Sequence, residues 1–206
     1  MAVSCMAVAE IVQTGVTAFT EGPKVNWRFD ESVLDTISVW WGGRPGHWSR
    51  GNWRCEGGDR YDLLIEPGAD QITVWGGILQ DNVEGAGPLV VCADADVALK
   101  CLLAFAGPKF RDRKHLDRLL IPYSPHLAKP GFVINAWSAD APEVEWWVDD
   151  QYCWLRFGPS GKATEFTFYG RGSFDEIISS FESPDGAPLF TDVRKVPASS
   201  SEHVRP

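Results

Sequence analysis

The amino-acid sequence predicts an α+β fold in which helices pack on an antiparallel sheet built from two hairpin-plus-helix units. Residues 61–77 and 152–170 share one pattern: a tyrosine-led apolar run, a turn with proline and glycine, and a second run that reaches an aromatic residue and a glycine. A helical pattern follows each segment, near 94–106 and at 173–182. Alternation with a period of two indicates strands, and a turn between two such runs indicates a hairpin.

The first unit is predicted to occupy residues 1–121 and to be rich in strands. The run DTISVWW at 35–41 consists largely of β-branched and aromatic residues, which is typical of a strand. A turn rich in glycine and proline follows it at 42–46. The hairpin at 61–77 then supplies the next two strands of this unit.

Two helices are predicted at the end of the first unit. Asp94 is a suitable N-cap for the first, near 94–106, and the Gly-Pro pair at 107–108 predicts its end. The second is expected near 110–120. That segment lies in the one basic cluster of the sequence, at 109–120, where we expect His115 to face solvent or to form a salt bridge with Asp112.

The second unit is expected at 131–182, after a connection interrupted by prolines. Its strands are predicted at 132–137, 143–148, 152–157 and 164–169, with the last two paired as a hairpin. Ser173 and Glu176 form an S-x-x-E capping box ahead of an apolar stripe with helical spacing. Residues 183–206 contain four prolines and predict a largely extended tail, and both units are expected to form a single compact domain.

Composition and charge exclude several classes of protein. The 206 residues are 44% hydrophobic and 23% charged, as expected of a folded globular chain. The net charge of −9 and the pI near 4.9 argue against nucleic-acid binding, which needs a basic surface. No run of about 18 apolar residues predicts a membrane span, and the N-terminus lacks the basic start of a secretory signal. A cytoplasmic location is therefore expected.

The sequence predicts no assembled catalytic, cofactor or metal site. The five cysteines are widely spaced and form no C-x-x-C pair, so we expect reduced thiols. An enzyme would have to assemble its site from distant residues such as His47, Cys55, Ser124 and His126, and this remains one alternative. Two acidic pairs, Glu143/Glu145 and Asp149/Asp150, are explained by a polar strand face and by an Asp-Asp turn.

The ten tryptophans are the most informative residues for function, because a chain of this length contains roughly two or three on average. Neighbours on a strand point to opposite faces, so one ring of an adjacent pair such as Trp146-Trp147 is left for a second layer or a partner. Exposed aromatic and acidic side chains together suit binding. The candidate contact residues are Trp41, Trp48, Trp53, Glu56, Asp59, Trp147, Asp149 and Asp150.

These observations favour a non-enzymatic binding protein over an enzyme. In its acidic charge, its α+β pattern and its lack of a catalytic set, the chain resembles small bacterial immunity and antitoxin-type proteins. The resemblance is one of overall character and depends on no single motif. It implies an inhibitor that docks on a basic protein partner such as a toxin. A carbohydrate-binding module that uses the same tryptophans is the other alternative.

Overall fold

A computed structural model describes residues 26–42, 44–57, 62–77, 88–135, 142–158 and 162–198. The helices are α1 (Glu31–Trp41), α2 (Ala95–Arg113), α3 (Ala163–Tyr169) and α4 (Phe174–Glu182), with a short 3-10 helix at Pro125–Leu127. The strands are β1 (His47–Ser49), β2 (Asn52–Cys55), β3 (Asp62–Pro67), β4 (Ile72–Gly77), β5 (Val90–Cys92), β6 (Arg118–Leu120), β7 (Phe132–Asn135), β8 (Glu143–Val148), β9 (Gln151–Phe157) and β10 (Arg194–Val196).

Eight of these strands form one antiparallel sheet in the order β1-β2-β3-β4-β5-β9-β8-β7. Strands β5 and β9 pair with each other, so the same sheet runs through both predicted units. A second, two-stranded sheet joins β6 to β10. The predicted α+β class, with an antiparallel sheet and helices packed on it, is confirmed.

One face of the large sheet is covered by helices and forms the core. Cross-strand neighbours such as Ile65, Val74 and Val90 are fully buried on this face. Helix α2 packs on β4 and β5 and lies between α1 and α4. The opposite face carries side chains that are mostly half-buried or exposed, and it is called the open face below.

The prediction of a strand at 35–41 is wrong, because these residues belong to α1. Asp30 caps this helix, since its carboxylate accepts the backbone N–H groups of Ser32 at 2.9 Å and Val33 at 3.3 Å. The buried residues are Val33, Leu34, Ile37, Ser38, Trp40 and Trp41, which lie on one helical face. Helical spacing together with an N-cap therefore overrides the β propensity of the segment.

Gly107 and Pro108 do not end α2, which continues to Arg113 and replaces the two predicted helices with one. A Cβ at position 107 would lie 2.4 Å from the ring of Phe181, so this glycine allows α4 to approach α2 closely. Residues 118–120, expected to be helical, form β6 instead.

Two arginines of the basic segment 109–120, buried Arg111 and exposed Arg113, bind carbonyls at the ends of helices. Arg111 is 1% exposed, and its guanidinium donates to the carbonyls of Asp117, Phe181, Ser183 and Pro184 at 2.6 to 3.2 Å. Arg113 donates to the carbonyl of Val39 at 2.6 Å, at the end of α1. The two side chains therefore satisfy carbonyls at the C-termini of α4 and α1, which helices leave without partners.

The predicted pairing of residues 152–157 with 164–169 is also wrong. Residues 163–169 form helix α3, and β9 pairs with β8 and β5. The second hairpin is therefore β8–β9, which turns at Asp149-Asp150. In α3, Phe166 and Tyr169 are buried side chains whose helical spacing places both rings against the core.

The region predicted as an extended tail is packed up to residue 196. Phe190 is fully buried, with its ring 5.1 Å from that of Phe181, and Val193 is 5% exposed. Strand β10 then pairs with β6. Apolar contacts and strand pairing therefore stabilise a folded conformation in a segment whose proline content alone predicts an extended tail.

Candidate partner-binding surface

Two of the predicted contact tryptophans lie in the core. Trp41 is 7% exposed on the inner side of α1, and Trp53 is 2% exposed on β2, directly opposite Ile65 of β3. Neither ring can contact a partner in this fold, so their assignment to the binding surface is corrected. The cause is the helical state of 31–41 and the inward position of Trp53 in the strand alternation.

Trp48 and Glu56 lie near the β1 edge of the sheet. The indole N–H of Trp48 donates to Glu31 Oε1 at 3.2 Å, and its ring lies 5.3 Å from that of Phe29. The carboxylate of Glu56 lies 3.9 Å from the guanidinium of exposed Arg44. Both side chains therefore already have partners within the chain. Asp59, the other acidic candidate of this region, lies outside the described residues.

The three remaining candidates meet at the end of the β8–β9 hairpin. Trp146 points into the core and is 3% exposed, whereas Trp147 points outward and is 62% exposed. The ring of Trp147 lies 5.4 Å from that of Tyr152, its cross-strand neighbour on β9. Asp149 and Asp150 form the turn between them. These four residues, Trp147, Asp149, Asp150 and Tyr152, are called the hairpin tip below.

The turn holds both aspartates in an unusual backbone conformation. Asp149 and Asp150 have φ angles of 47° and 63°. Positive φ at both central residues of a two-residue loop is the pattern of a type I′ turn, for which Asn-Gly is preferred. In the described part of the chain, neither carboxylate has a hydrogen-bond or ion-pair partner. The tip therefore presents two charges to solvent. Its turn is less stable than one with Asn-Gly at the same two positions.

The hairpin tip and Trp48 do not form one surface. Strands β1 and β8 are separated by six strand spacings in the sheet. At about 4.8 Å per spacing, this places them roughly 29 Å apart across the sheet. The predicted contact set is therefore divided, and only the part on β8 and the following turn combines exposed aromatic rings with carboxylates that lack partners among the described residues.

A groove of about 490 Å³ runs beside the hairpin tip, on the side of the α2 N-terminus. Asp94, Asp96 and Lys100 line it together with Trp147 and Asp149. Burial raises the pKa of Asp96, and the negative charge of Asp94 raises it further. The ammonium of Lys100 donates to the carbonyl of Gly170 at 3.1 Å. Arg171 also lines the groove, which therefore contains three carboxyl groups and two cationic side chains.

The open face of the sheet continues from the hairpin tip. Trp154 on β9 and Glu145 on β8 face each other across the strands, next to the Trp147–Tyr152 pair. Further along the face lie Val91 and Trp75, both half-buried. Tyr152, Trp154 and Glu145 were not among the predicted contact residues, because residues 152–157 were paired with 164–169 instead of with 143–148. Pairing the two strands across the Asp149-Asp150 turn would have aligned all three with Trp147 by strand alternation.

The residues of the enzyme alternative do not come together. His47 and Cys55 lie on β1 and β2, where Cys55 is fully buried and burial raises the pKa of its thiol. Ser124 and His126 lie at the 3-10 helix, and Ser124 lines an apolar groove of about 540 Å³ beside α2, α3 and α4. Among the described residues, no group of His, Cys, Asp and Glu has a geometry that could hold a metal ion. Within the same ranges, no helix is long and apolar enough to cross a membrane.

Comparisons with known proteins identify a family. The chain matches the family of immunity protein 61 over residues 80–189, which is more than half of its length. Its structure is similar to that of Rv3902c from M. tuberculosis, with a TM-score of 0.63 and 18% sequence identity, over 82% of this chain and 97% of that one. At this identity the similarity concerns the fold. No curated protein matches the chain.

The matched segment runs from just ahead of β5 to beyond α4. It contains the whole β8–β9 hairpin and the groove beside it, whereas Trp48 and Glu56 lie outside it. The protein belongs to the immunity protein 61 family.

Proposed function

We propose that this protein neutralises a toxin by binding it, and that the hairpin tip contacts a basic surface of the toxin. The observation that carries the proposal is that two exposed aromatic rings flank a turn with two carboxylates, neither of which has a partner among the described residues, inside the segment that matches the family. Protein interfaces concentrate binding energy in such Trp and Tyr side chains.

The physical contributions of the two residue types differ. Trp147 and Tyr152 lose solvent contact on binding, and each large ring can bury on the order of 150–250 Å². Asp149 and Asp150 add a negative field that steers a basic partner toward the tip and accelerates association. The net charge of −9 acts in the same direction at longer range. Binding is therefore expected to weaken as ionic strength increases.

The relative orientation of the two rings favours a protein partner over a carbohydrate. Their planes are inclined by 58°, so they do not form one flat platform on which a sugar ring could stack. Inclined rings instead suit insertion into pockets of a protein surface. A titration of tryptophan fluorescence with oligosaccharides tests the carbohydrate alternative, and we expect no saturable change.

A toxin-protection assay tests the proposal. The partner is recovered from the native host by affinity purification, identified by mass spectrometry, and expressed in cells with or without this protein. We expect wild type to protect growth, and a variant combining Trp147→Ala, Asp149→Asn and Asp150→Asn to lose protection.

Two control variants separate binding from folding and net charge. Glu182→Gln with Asp192→Asn removes the same charge from exposed positions at the end of α4 and after it, and this variant should still protect. Trp48→Ala should also protect, because that ring lies at the β1 edge of the sheet, six strand spacings from β8. Recovery of no toxic partner, or full protection by the tip variant, would contradict the proposed function.

A further inference from the structure

The open face next to the hairpin tip has a carboxylate at its centre. Glu145 on β8 lies directly opposite Trp154 on β9 and Val133 on β7. Directly opposite residues of antiparallel strands have Cβ atoms roughly 4.5–5.5 Å apart, so these side chains are in contact range. Glu145 Oε1 accepts a hydrogen bond from the Asn135 side-chain amide at 2.6 Å, which fixes the carboxylate on this face.

Tyr152 is a further neighbour of this carboxylate. Partial burial raises the pKa of the Tyr152 phenol, and the negative charge of Glu145 raises it further. Glu145 is thus surrounded by an indole, a phenol and an aliphatic side chain. Trp147 lies two residues along the same strand and on the same face, and it connects this cluster to the hairpin tip.

Two other carboxylates of the open face have cationic partners within the chain. Arg54 pairs with Asp62, and Arg156 pairs with Glu143 at 3.0 Å. Glu66, at the far strands of this face, accepts a hydrogen bond from the Trp75 indole at 2.9 Å. In the described residues, Glu145 has no cationic partner, since its hydrogen bond comes from a neutral amide. The face therefore has an uncompensated negative charge at the point where its aromatic side chains are most concentrated.

The hairpin tip alone is too small to form a stable interface. A specific protein complex buries about 800 Å² on each partner and involves roughly 20–30 residues per side. The four residues of the hairpin tip cannot supply that area, so the contact must continue over an adjoining surface. The open face is continuous with the tip, because Trp147 and Tyr152 belong to both.

We infer, on the basis of the proposed function, that the toxin also covers this part of the open face and places an arginine side chain on Glu145, against the ring of Trp154. A guanidinium pairs with a carboxylate through two N–H groups and stacks on aromatic rings, which an ammonium does less well. A second copy of this chain is a poor occupant, because it would bring two like-charged faces and two Glu145 carboxylates together.

Affinity measurements with single variants test the inference. The probe is the recombinant toxin identified as described above, and its Kd is measured by calorimetry. Glu145→Gln preserves the shape of the side chain and removes its charge, and we expect Kd to increase about tenfold or more. Trp154→Ala is expected to have an effect of similar size.

Matched controls come from the helix side of the molecule. Glu182→Gln removes an exposed carboxylate at the end of α4, and Tyr123→Ala removes a ring that is 79% exposed beside the apolar groove. Both are expected to leave Kd within about twofold of wild type. Unfolding curves for all four variants show whether Trp154→Ala, at a half-buried position, destabilises the fold. If it does, the affinity of the Glu145→Gln variant still tests the inference.

The outcomes separate this inference from the proposed function. If tip variants abolish binding while Glu145→Gln and Trp154→Ala bind like wild type, the inference is wrong and the proposed function stands. If substitution of each toxin arginine in turn leaves the effect of Glu145→Gln unchanged, the arginine assignment is wrong. If no toxin binds the wild type, both proposals are wrong.

Discussion

Trp146 packs against Phe166 with their ring centroids 5.0 Å apart, and this contact attaches strand β8 to helix α3. The next residue along the strand, Trp147, points to the opposite side of the sheet. One indole therefore anchors the hairpin in the core while its neighbour is displayed on the surface. The strand alternation that sequence analysis used for this pair is what separates the two roles.

The two adjacent tryptophans should respond to substitution in opposite ways. We expect Trp146→Ala to lower the free energy of unfolding by about 3–5 kcal/mol, because it leaves a large cavity beside Phe166. Trp147→Ala should change that free energy by no more than about 0.5 kcal/mol, since the ring is mostly exposed, but should weaken toxin binding at least tenfold. Urea denaturation and calorimetry measure the two quantities. Equal loss of stability in both variants would contradict the assignment.

Replacing Asp150 in the Asp-Asp turn should increase the stability of the protein and weaken toxin binding. Asp150→Gly removes a side chain from a residue at φ 63°, which relieves the left-handed conformation but adds flexibility to the unfolded chain. We expect a net gain of about 0.5 kcal/mol, seen as a higher urea midpoint at an unchanged m-value. Binding should weaken because one tip charge is lost. A variant that gains stability and binds equally well would show that this carboxylate makes no contact.

Arg111 should contribute strongly to the stability of the fold. Its guanidinium satisfies four carbonyls in a buried position. Arg111→Met leaves several of these acceptors without donors, and we expect a loss of about 3 kcal/mol or more in urea denaturation. Arg111→Lys should recover little, because an ammonium cannot reproduce the planar fork of donors. Recovery of wild-type stability by lysine would contradict this account.

Two helix caps should make the fold sensitive to acid. A hydrogen bond from the Ser32 side chain lowers the pKa of Asp30 from its ordinary value of 3.8, and one from the Ser173 backbone lowers that of Glu176 from 4.5. Because both folded pKa values lie below the unfolded ones, the stabilisation is present above these ordinary values and is lost as the pH falls through the lowered ones.

Amide variants isolate this acid sensitivity. Asn and Gln can cap the same helices but do not titrate, so Asp30→Asn combined with Glu176→Gln should lose less stability than wild type between pH 5 and about pH 3. Urea midpoints measured across this range give the comparison. Parallel curves for the two proteins would show that other carboxyl groups dominate the acid response.

Local patterns predicted some elements correctly and failed where tertiary contacts decide. The first hairpin and the S-x-x-E cap of α4 follow from alternation and capping chemistry, and the structure contains both. The end of α2 could not be predicted, because Gly107 serves the approach of Phe181, a residue 74 positions away in sequence. Similarly, the sequence of α3 alternates as a strand would, but the segment is helical and its Phe166 ring packs against Trp146 and Phe157.

The candidate surface was predictable only in part. Trp147, Asp149 and Asp150 could be selected from the sequence, because an adjacent Trp pair and an Asp-Asp turn indicate outward display. Tyr152 and Glu145 lie on the same surface as these residues only in the observed β8–β9 register, and a slip of one residue would move them to the other face. Trp41 and Trp53 could not be excluded from composition, since an indole suits a core as well as an interface.

Hydrogen–deuterium exchange on the complex with the toxin tests the central claim most directly. We expect slower amide exchange on binding in residues 145–154, which include the hairpin tip and the adjoining part of the open face, and unchanged exchange in α4. Protection confined to the helix side of the molecule, with residues 145–154 unaffected, would contradict the claim that this end of the sheet binds the toxin.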